Sequence, residues 1–221
     1  YIDHTLLKAT ATEQDIIKLC DEAKKHKFFS VCVNSCYVSL AKSQLNNSDV
    51  KVCSVIGFPL GAMSTKAKVE ETKQALKDGA DEIDMVINVG FLKSKNFDAV
   101  WQDIEAVKQV MPNNILKVIL ETCYLEEIEI IKASELAINS GADFIKTSTG
   151  FGTGGATIHD VEIMKSVAQK CNVKIKASGG IRDTKTAKAY IEAGEDRIGT
   201  SNGIAIVTGQ KAEDSKYKTQ P

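Results

Sequence analysis

The chain has 221 residues with 28 lysines and arginines against 29 aspartates and glutamates, a formal net charge of −1, and is 43% hydrophobic but only 6% aromatic. This is a soluble globular composition, long enough to bury a core without disulfide or metal staples, and it excludes disorder. The balanced charge argues against a dedicated nucleic-acid binder, whose phosphate contacts show as a basic excess or stripe.

Short β-rich runs alternate along the chain with amphipathic stretches of roughly ten to seventeen residues, the pattern of parallel β/α units. The strand candidates, in order, are Tyr1–His4, Phe28–Asn34, Val50–Gly57, Glu82–Val89, Ile115–Thr122, Phe144–Ser148, Val173–Ser178 and Arg197–Thr200. The first begins at once, so a short leading piece is expected to precede Tyr1. Thr12, Thr157 and Asp183 stand where a side chain would cap a first helical turn. The run Lys24-Lys25-His26-Lys27 closes a helical pattern, where cations complement the helix dipole. Gly79, Gly141 and Gly194 each end a helical pattern about two residues before a strand, in the related joints Lys-Asp-Gly-Ala-Asp, Asn-Ser-Gly-Ala-Asp and Glu-Ala-Gly-Glu-Asp. Eight such rounds fit an α/β fold closed as a (β/α)8 TIM barrel better than an open doubly wound sheet. A single domain over residues 1–210 is expected, followed by a polar tail, 211–221, expected to be poorly ordered.

Six cysteines, at positions 20, 32, 36, 53, 123 and 171, lack the paired spacing of zinc or redox sites and read as reduced thiols of a cytoplasmic protein. No apolar run is long enough to cross a bilayer and no leader opens the chain, so no membrane partner is expected. His4, His26 and His159 have no ligand spacing, and no metal is expected.

In a barrel of this kind chemistry sits at the C-terminal ends of the strands. Strand four carries Asp84 within an apolar run, where an unpaired carboxylate is expensive. Strands six and seven carry Lys146 and Lys176 at corresponding positions, and strand five contributes Lys117 and Glu121, expected on one face by the period of two. Lysines at matching heights on neighbouring strands repel, which favours loss of a proton and gives an amine able to form a Schiff base. Asp84 is then the acid/base partner, with Lys176 perturbing Lys146 and relaying protons. The same residues also fit a buried ion network or solvent-facing strand ends. Glycine-rich turns follow the last three strands at residues 149–155, 178–183 and 199–203, suited to main-chain capture of a phosphate. Gly150, Gly152 and Gly155 match a dinucleotide fingerprint, discounted because it follows the sixth strand rather than opening the first unit.

The segments Ile2 to Lys8, Val55 to Gly61, Glu82 to Asn88, Phe144 to Gly150 and Lys176 to Arg182 together resemble the deoxyribose-phosphate aldolase family, in order and over nearly the whole chain. The resemblance implies a class I aldolase with no cofactor, which reversibly cleaves 2-deoxy-D-ribose 5-phosphate to acetaldehyde and D-glyceraldehyde 3-phosphate. It implies that Lys146 forms the Schiff base, that Lys176 is the second active-site lysine and that Asp84 moves the proton with a water. Asp3, Thr5 and Thr149 are then substrate-binding, and Gly150, Gly179, Gly180, Gly199 and Ser201 phosphate-binding. It further implies a phosphosugar as the small-molecule partner and a homodimer or higher homo-oligomer. Phe151 stands where some members carry a basic residue, Asn202 replaces a hydroxyl residue, and Lys218 to Pro221 lack a terminal tyrosine found in some members. Another sugar-phosphate barrel, such as an epimerase, and a non-catalytic phosphosugar binder are the rival readings.

Overall fold

A computed structural model describes residues 1–210, and the tail at 211–221 lies outside the described residues. Eight strands form a closed parallel barrel in sequential order: β1 (Ile2–Leu6), β2 (Ser30–Asn34), β3 (Lys51–Ile56), β4 (Glu82–Val86), β5 (Ile115–Ile119), β6 (Phe144–Lys146), β7 (Lys174–Ser178) and β8 (Arg197–Thr200). Around them run α1 (Glu13–His26), α2 (Val38–Gln44), α3 (Thr65–Lys77), α4 (Val89–Lys93), α5 (Phe97–Gln109), α6 (Glu127–Asn139), α7 (Ile158–Ala168), α8 (Thr184–Ala193) and α9 (Gly203–Thr208). The barrel closes where Ile2 and Asp3 pair with Ile198 and Gly199. The expected (β/α)8 architecture is therefore observed.

Side-chain chemistry sets the element ends. Thr12 caps α1 in a capping box with Asp15, while Thr157 and Asp183 cap α7 and α8. Strands four and five are shorter than the apolar runs suggest. The Asn88 side chain accepts from Phe91 N at 3.0 Å and starts α4, so β4 stops at Val86. β5 stops at Ile119, and two residues on Glu121 turns left-handed at φ 57°.

The three glycine joints share a clamp that follows from their common aspartate. Asp81 donates its N–H to Val52 O at 2.8 Å and accepts from Val52 N through its carboxylate at 2.9 Å. Asp143 grips Leu116 in the same way, at 3.0 and 2.8 Å, and Asp196 grips Ile175, at 3.0 Å for both bonds. Each aspartate enters β4, β6 or β8 and ties the foot of the strand before it, satisfying backbone groups that would otherwise lack a ladder partner.

The main core lies between barrel and helices, where outward strand residues such as Val31, Ile83, Val118 and Ile145 meet Ile16, Ile104, Ile130 and Met164 of the helices. A smaller apolar cluster of Leu7, Cys32, Cys53 and Val55, with Phe58 against it, is separate from that layer. No described helix is long and apolar enough to cross a membrane.

Candidate active site

Register decides which charged side chains meet. Lys146 of β6 pairs with Lys176 of β7, and Asp84 of β4 pairs with Lys117 of β5. The expectation of two lysines at one height is met. All four side chains are buried, and three further charged residues join them: Asp3 on β1, Glu82 on β4 and Arg197 on β8.

These residues form a closed alternating ring. Arg197 contacts Asp3 Oδ1 at 2.9 Å, and Asp3 Oδ2 contacts Lys176 Nζ at 2.6 Å. Lys176 reaches Asp84 Oδ2 at 2.8 Å, and Asp84 Oδ1 takes Lys117 Nζ at 2.9 Å. Lys117 meets Glu82 Oε2 at 2.5 Å, and the same oxygen returns to Arg197 at 3.3 Å. Three cations thus alternate with three carboxylates, each charge holding two opposite neighbours. Lys146 is the seventh member, attached by a single contact of 2.8 Å to Asp84 Oδ2, an oxygen it shares with Lys176.

Magnitudes show why the number of partners matters. An ion contact near 2.8 Å amounts to about 6 kcal/mol at an effective dielectric of about 20. Stripping water from one buried ion costs several kcal/mol, so a charge with two such contacts is held. Burial opposes the Lys176 ammonium, but Asp3 and Asp84 outweigh it and raise its pKa above the ordinary lysine value. Burial likewise opposes the Lys117 ammonium, and Asp84 and its neighbours push it well above that value. Burial disfavours the Asp84 carboxylate, yet Lys117, Lys146 and Lys176 hold it well below the usual range. Asp3 is lowered by the same balance, burial against Lys176, Lys117 and Arg197.

Two expectations change. Lys146 and Lys176 are not simply opposed cations, because one carboxylate oxygen sits within 2.8 Å of both. Glu121 does not share a strand face with Lys117, because it lies past the end of β5 in left-handed backbone and turns to Thr149.

Above the ring a cavity opens at the barrel mouth. Among the expected residues, Thr5, Lys146, Thr149, Gly150, Gly179, Gly180, Gly199 and Ser201 line it together. Asp3, Asp84 and Lys176 are fully buried and do not line it. Asp3 is spent on Lys176, Arg197 and the Ser30 hydroxyl, which donates to it at 2.7 Å, so its place is in the ring. Gly150 at φ 85° and Gly180 at φ 80° have no atom within 4 Å of where a Cβ would stand, so both present bare main chain in a conformation glycine favours. A Cβ on Gly199 would lie 2.9 Å from Lys176 Cε and 2.7 Å from Ser178 Oγ, so its missing side chain makes room for the lysine stem. Lys8, Ser178 and Arg182 also line the cavity, although no role was assigned to them from sequence. The signal was present: Lys8 follows the first strand and Arg182 follows the Gly179-Gly180 turn.

Cys32, Cys53 and Asp84 bring possible metal-ligating atoms within 4.8 Å of one another. Asp84 is already spent on three ammonium groups, and the Cys53 thiol donates to it at 3.1 Å while lying 3.5 Å from Lys117 Nζ. A cation there would face those ammonium groups, which fits the donor set poorly.

The family model described as DeoC/LacD family aldolase matches residues 1–209. A deoxyribose-phosphate aldolase of Finegoldia magna is 60% identical over 210 residues, covering 95% of this chain and 98% of that protein. Among solved structures, an aldolase called QR15 is 47% identical with a TM-score of 0.90, covering 95% of this chain and 93% of its own. A deoxyribose phosphate aldolase from Aeropyrum pernix, described as a unique tetramer, is 34% identical with a TM-score of 0.88, covering 94% and 88% of the two chains. A match over nearly the whole chain, on a barrel that gathers buried lysines beneath a glycine-lined mouth, makes this chain a member of the DeoC/LacD aldolase family.

Proposed function

We propose that the protein reversibly cleaves 2-deoxy-D-ribose 5-phosphate to acetaldehyde and D-glyceraldehyde 3-phosphate through a Schiff base on Lys146. The observation that carries this reading is the position of Lys146. Lys117, Lys146, Lys176 and Arg197 face Asp3, Glu82 and Asp84, and Lys146 is the cation outside the closed ring. Of the three lysines it alone lines the mouth cavity. Its amine is therefore the nucleophile of the set.

The neutral amine adds to the C1 aldehyde of the open-chain sugar, and loss of water gives a protonated imine. A base takes the proton of the C3 hydroxyl, the C2–C3 bond breaks, and its electron pair passes into the imine as an enamine. Glyceraldehyde 3-phosphate departs. Protonation at C2 restores an imine, and water releases acetaldehyde and the lysine. Asp84, 2.8 Å from Lys146 Nζ, is the group suited to move these protons, directly or through a water. Lys176 keeps its charge and holds Asp84 in place. The phosphate is assigned to the main chain of Gly150, Gly179 and Gly180 and to Ser201, with Lys8 and Arg182 supplying positive charge in the same cavity.

Six free thiols support a reducing, cytoplasmic setting. The tetrameric relative supports assembly into a homo-oligomer.

Borohydride reduction in the presence of acetaldehyde, followed by peptide mapping, tests the nucleophile. An ethyl adduct on Lys146 with loss of activity is expected. An adduct on another lysine, or none in an active preparation, overturns the assignment.

A further inference from the structure

We propose that Glu121 is a positioning residue that sets the glycine loop after β6, and through it the preference for a phosphorylated over an unphosphorylated sugar. This rests on the functional reading above and adds a residue which that reading leaves unused.

Glu121 is almost fully buried, yet it is absent from the lining of the mouth cavity. It lies behind the loop, in a small hollow shared with Thr149, Phe151 and Gly152. Its left-handed backbone, φ 57° and ψ 62°, is costly for a residue with a Cβ, and such strain persists where the surroundings enforce it. The enforcing contacts are visible. Glu121 Oε1 accepts from Thr149 N at 3.1 Å, and Oε2 accepts from the Thr149 hydroxyl. Because that hydroxyl spends its proton on Glu121, its oxygen is free to accept from Phe151 N at 3.0 Å. The two residues flanking Gly150 are thus tied, one directly and one through Thr149, to a single carboxylate. Gly152 completes the fit, since a Cβ there would stand 2.7 Å from Cys123 Sγ and 3.2 Å from Glu121 Cδ.

The chemistry requires a carboxylate. Thr149 presents two donors, an N–H and an O–H, and only an ionised carboxylate offers an acceptor to each; an amide offers one acceptor and turns an NH2 toward the other donor. Burial pushes the Glu121 carboxyl up, while the two Thr149 bonds and the nearby Lys146 favour its charged form. A carboxylate facing a phosphate would repel it. Glu121 instead points its charge into the back of the loop, leaving the Gly150 main chain facing the cavity.

The test compares cleavage of deoxyribose 5-phosphate and of deoxyribose by the parent, Glu121→Gln, Thr149→Val and Thr149→Ser, together with direct calorimetric binding of inorganic phosphate. Losing a hydrogen bond to a charged group corresponds to about tenfold or more in affinity. For Glu121→Gln and Thr149→Val, kcat/KM for the phosphorylated sugar should fall about tenfold or more, chiefly through KM, with far smaller losses for deoxyribose and weaker phosphate binding in parallel. Thr149→Ser, which keeps the hydroxyl, should restore the preference. Equal losses on both sugars, or an unchanged preference in Glu121→Gln, overturn the proposal. Should the parent cleave neither sugar, the functional reading falls by itself. The proposal then stands or falls on whether Glu121→Gln weakens phosphate binding.

Discussion

A single missing side chain positions the second lysine. Gly199 pairs with Ser178 across β7 and β8, and a Cβ there would press on Ser178 Oγ and Lys176 Cε. Sequence marks this glycine as part of a phosphate turn, and it does line the mouth cavity. Its contact with the lysine was not legible, because it depends on which residue of the neighbouring strand lies alongside. In Gly199→Ala the lysine end must move away from Asp3 or Asp84, and overpacking of this kind costs about 1–3 kcal/mol. Steady-state kinetics should show kcat reduced about tenfold, while inhibition by inorganic phosphate changes little. Full activity would mean that the contact is absorbed without moving Lys176. Lys8 and Arg182 escaped assignment for a related reason: a cation beside a turn looks like any exposed cation until the loops from opposite ends of the chain are seen around one cavity.

At the scale of elements, the repeated helix-to-strand joint was the clearest sequence signal, and the clamp it builds explains its aspartate. The residue between glycine and aspartate is Ala80 or Ala142 in two joints and Glu195 in the third. All three are buried, so the third joint hides a carboxyl where the others hide a methyl group. Burial pushes the Glu195 carboxyl up to about 8, and neither of its oxygens has a hydrogen-bond partner among the described residues. Below the ordinary carboxyl value of 4.5 both folded and unfolded chains carry the proton, and burial of the charge costs nothing. Between that value and about 8 the unfolded chain ionises first, so stability falls as pH rises and levels off above the folded value. The slope in that window is at most about 1.4 kcal/mol per pH unit. Replacing Glu195 by Ala should therefore raise the melting temperature more at pH 8 than at pH 5, as differential scanning fluorimetry would show. An equal change at both pH values would contradict this reading of the joint. Strand lengths were less legible than joints, because β4 and β5 stop two residues before Asn88, which caps α4, and Glu121, which turns left-handed, and an apolar run reveals neither.

For the whole molecule, the barrel and the charge ring depend on the same closure. Asp3 and Arg197 stand 194 residues apart, and they meet only because β8 returns to pair with β1. Eight rounds of strand and helix were countable in the sequence, and Lys146, Lys176 and Asp84 could be singled out as polar residues in apolar strands. Arg197 and Glu82 could not, since a charge at the start of a strand is ordinary until register turns it inward. The proposed nucleophile, Lys146, depends on Asp84 standing beside it, and the ring lysines Lys117 and Lys176 hold that carboxylate from both sides. The direct measurement is kcat/KM for parent, Lys176→Met and Lys117→Met. Lys117 is bonded to Glu82 and Asp84 and forms no bond with Lys146, so it separates the hold on Asp84 from the immediate surroundings of the nucleophile. The expected result is a fall in kcat/KM of about tenfold or more in both variants, since breaking a buried pair disturbs the carboxylate it held. Loss of activity in Lys176→Met with full activity in Lys117→Met would contradict the ring's part in holding Asp84 beside Lys146.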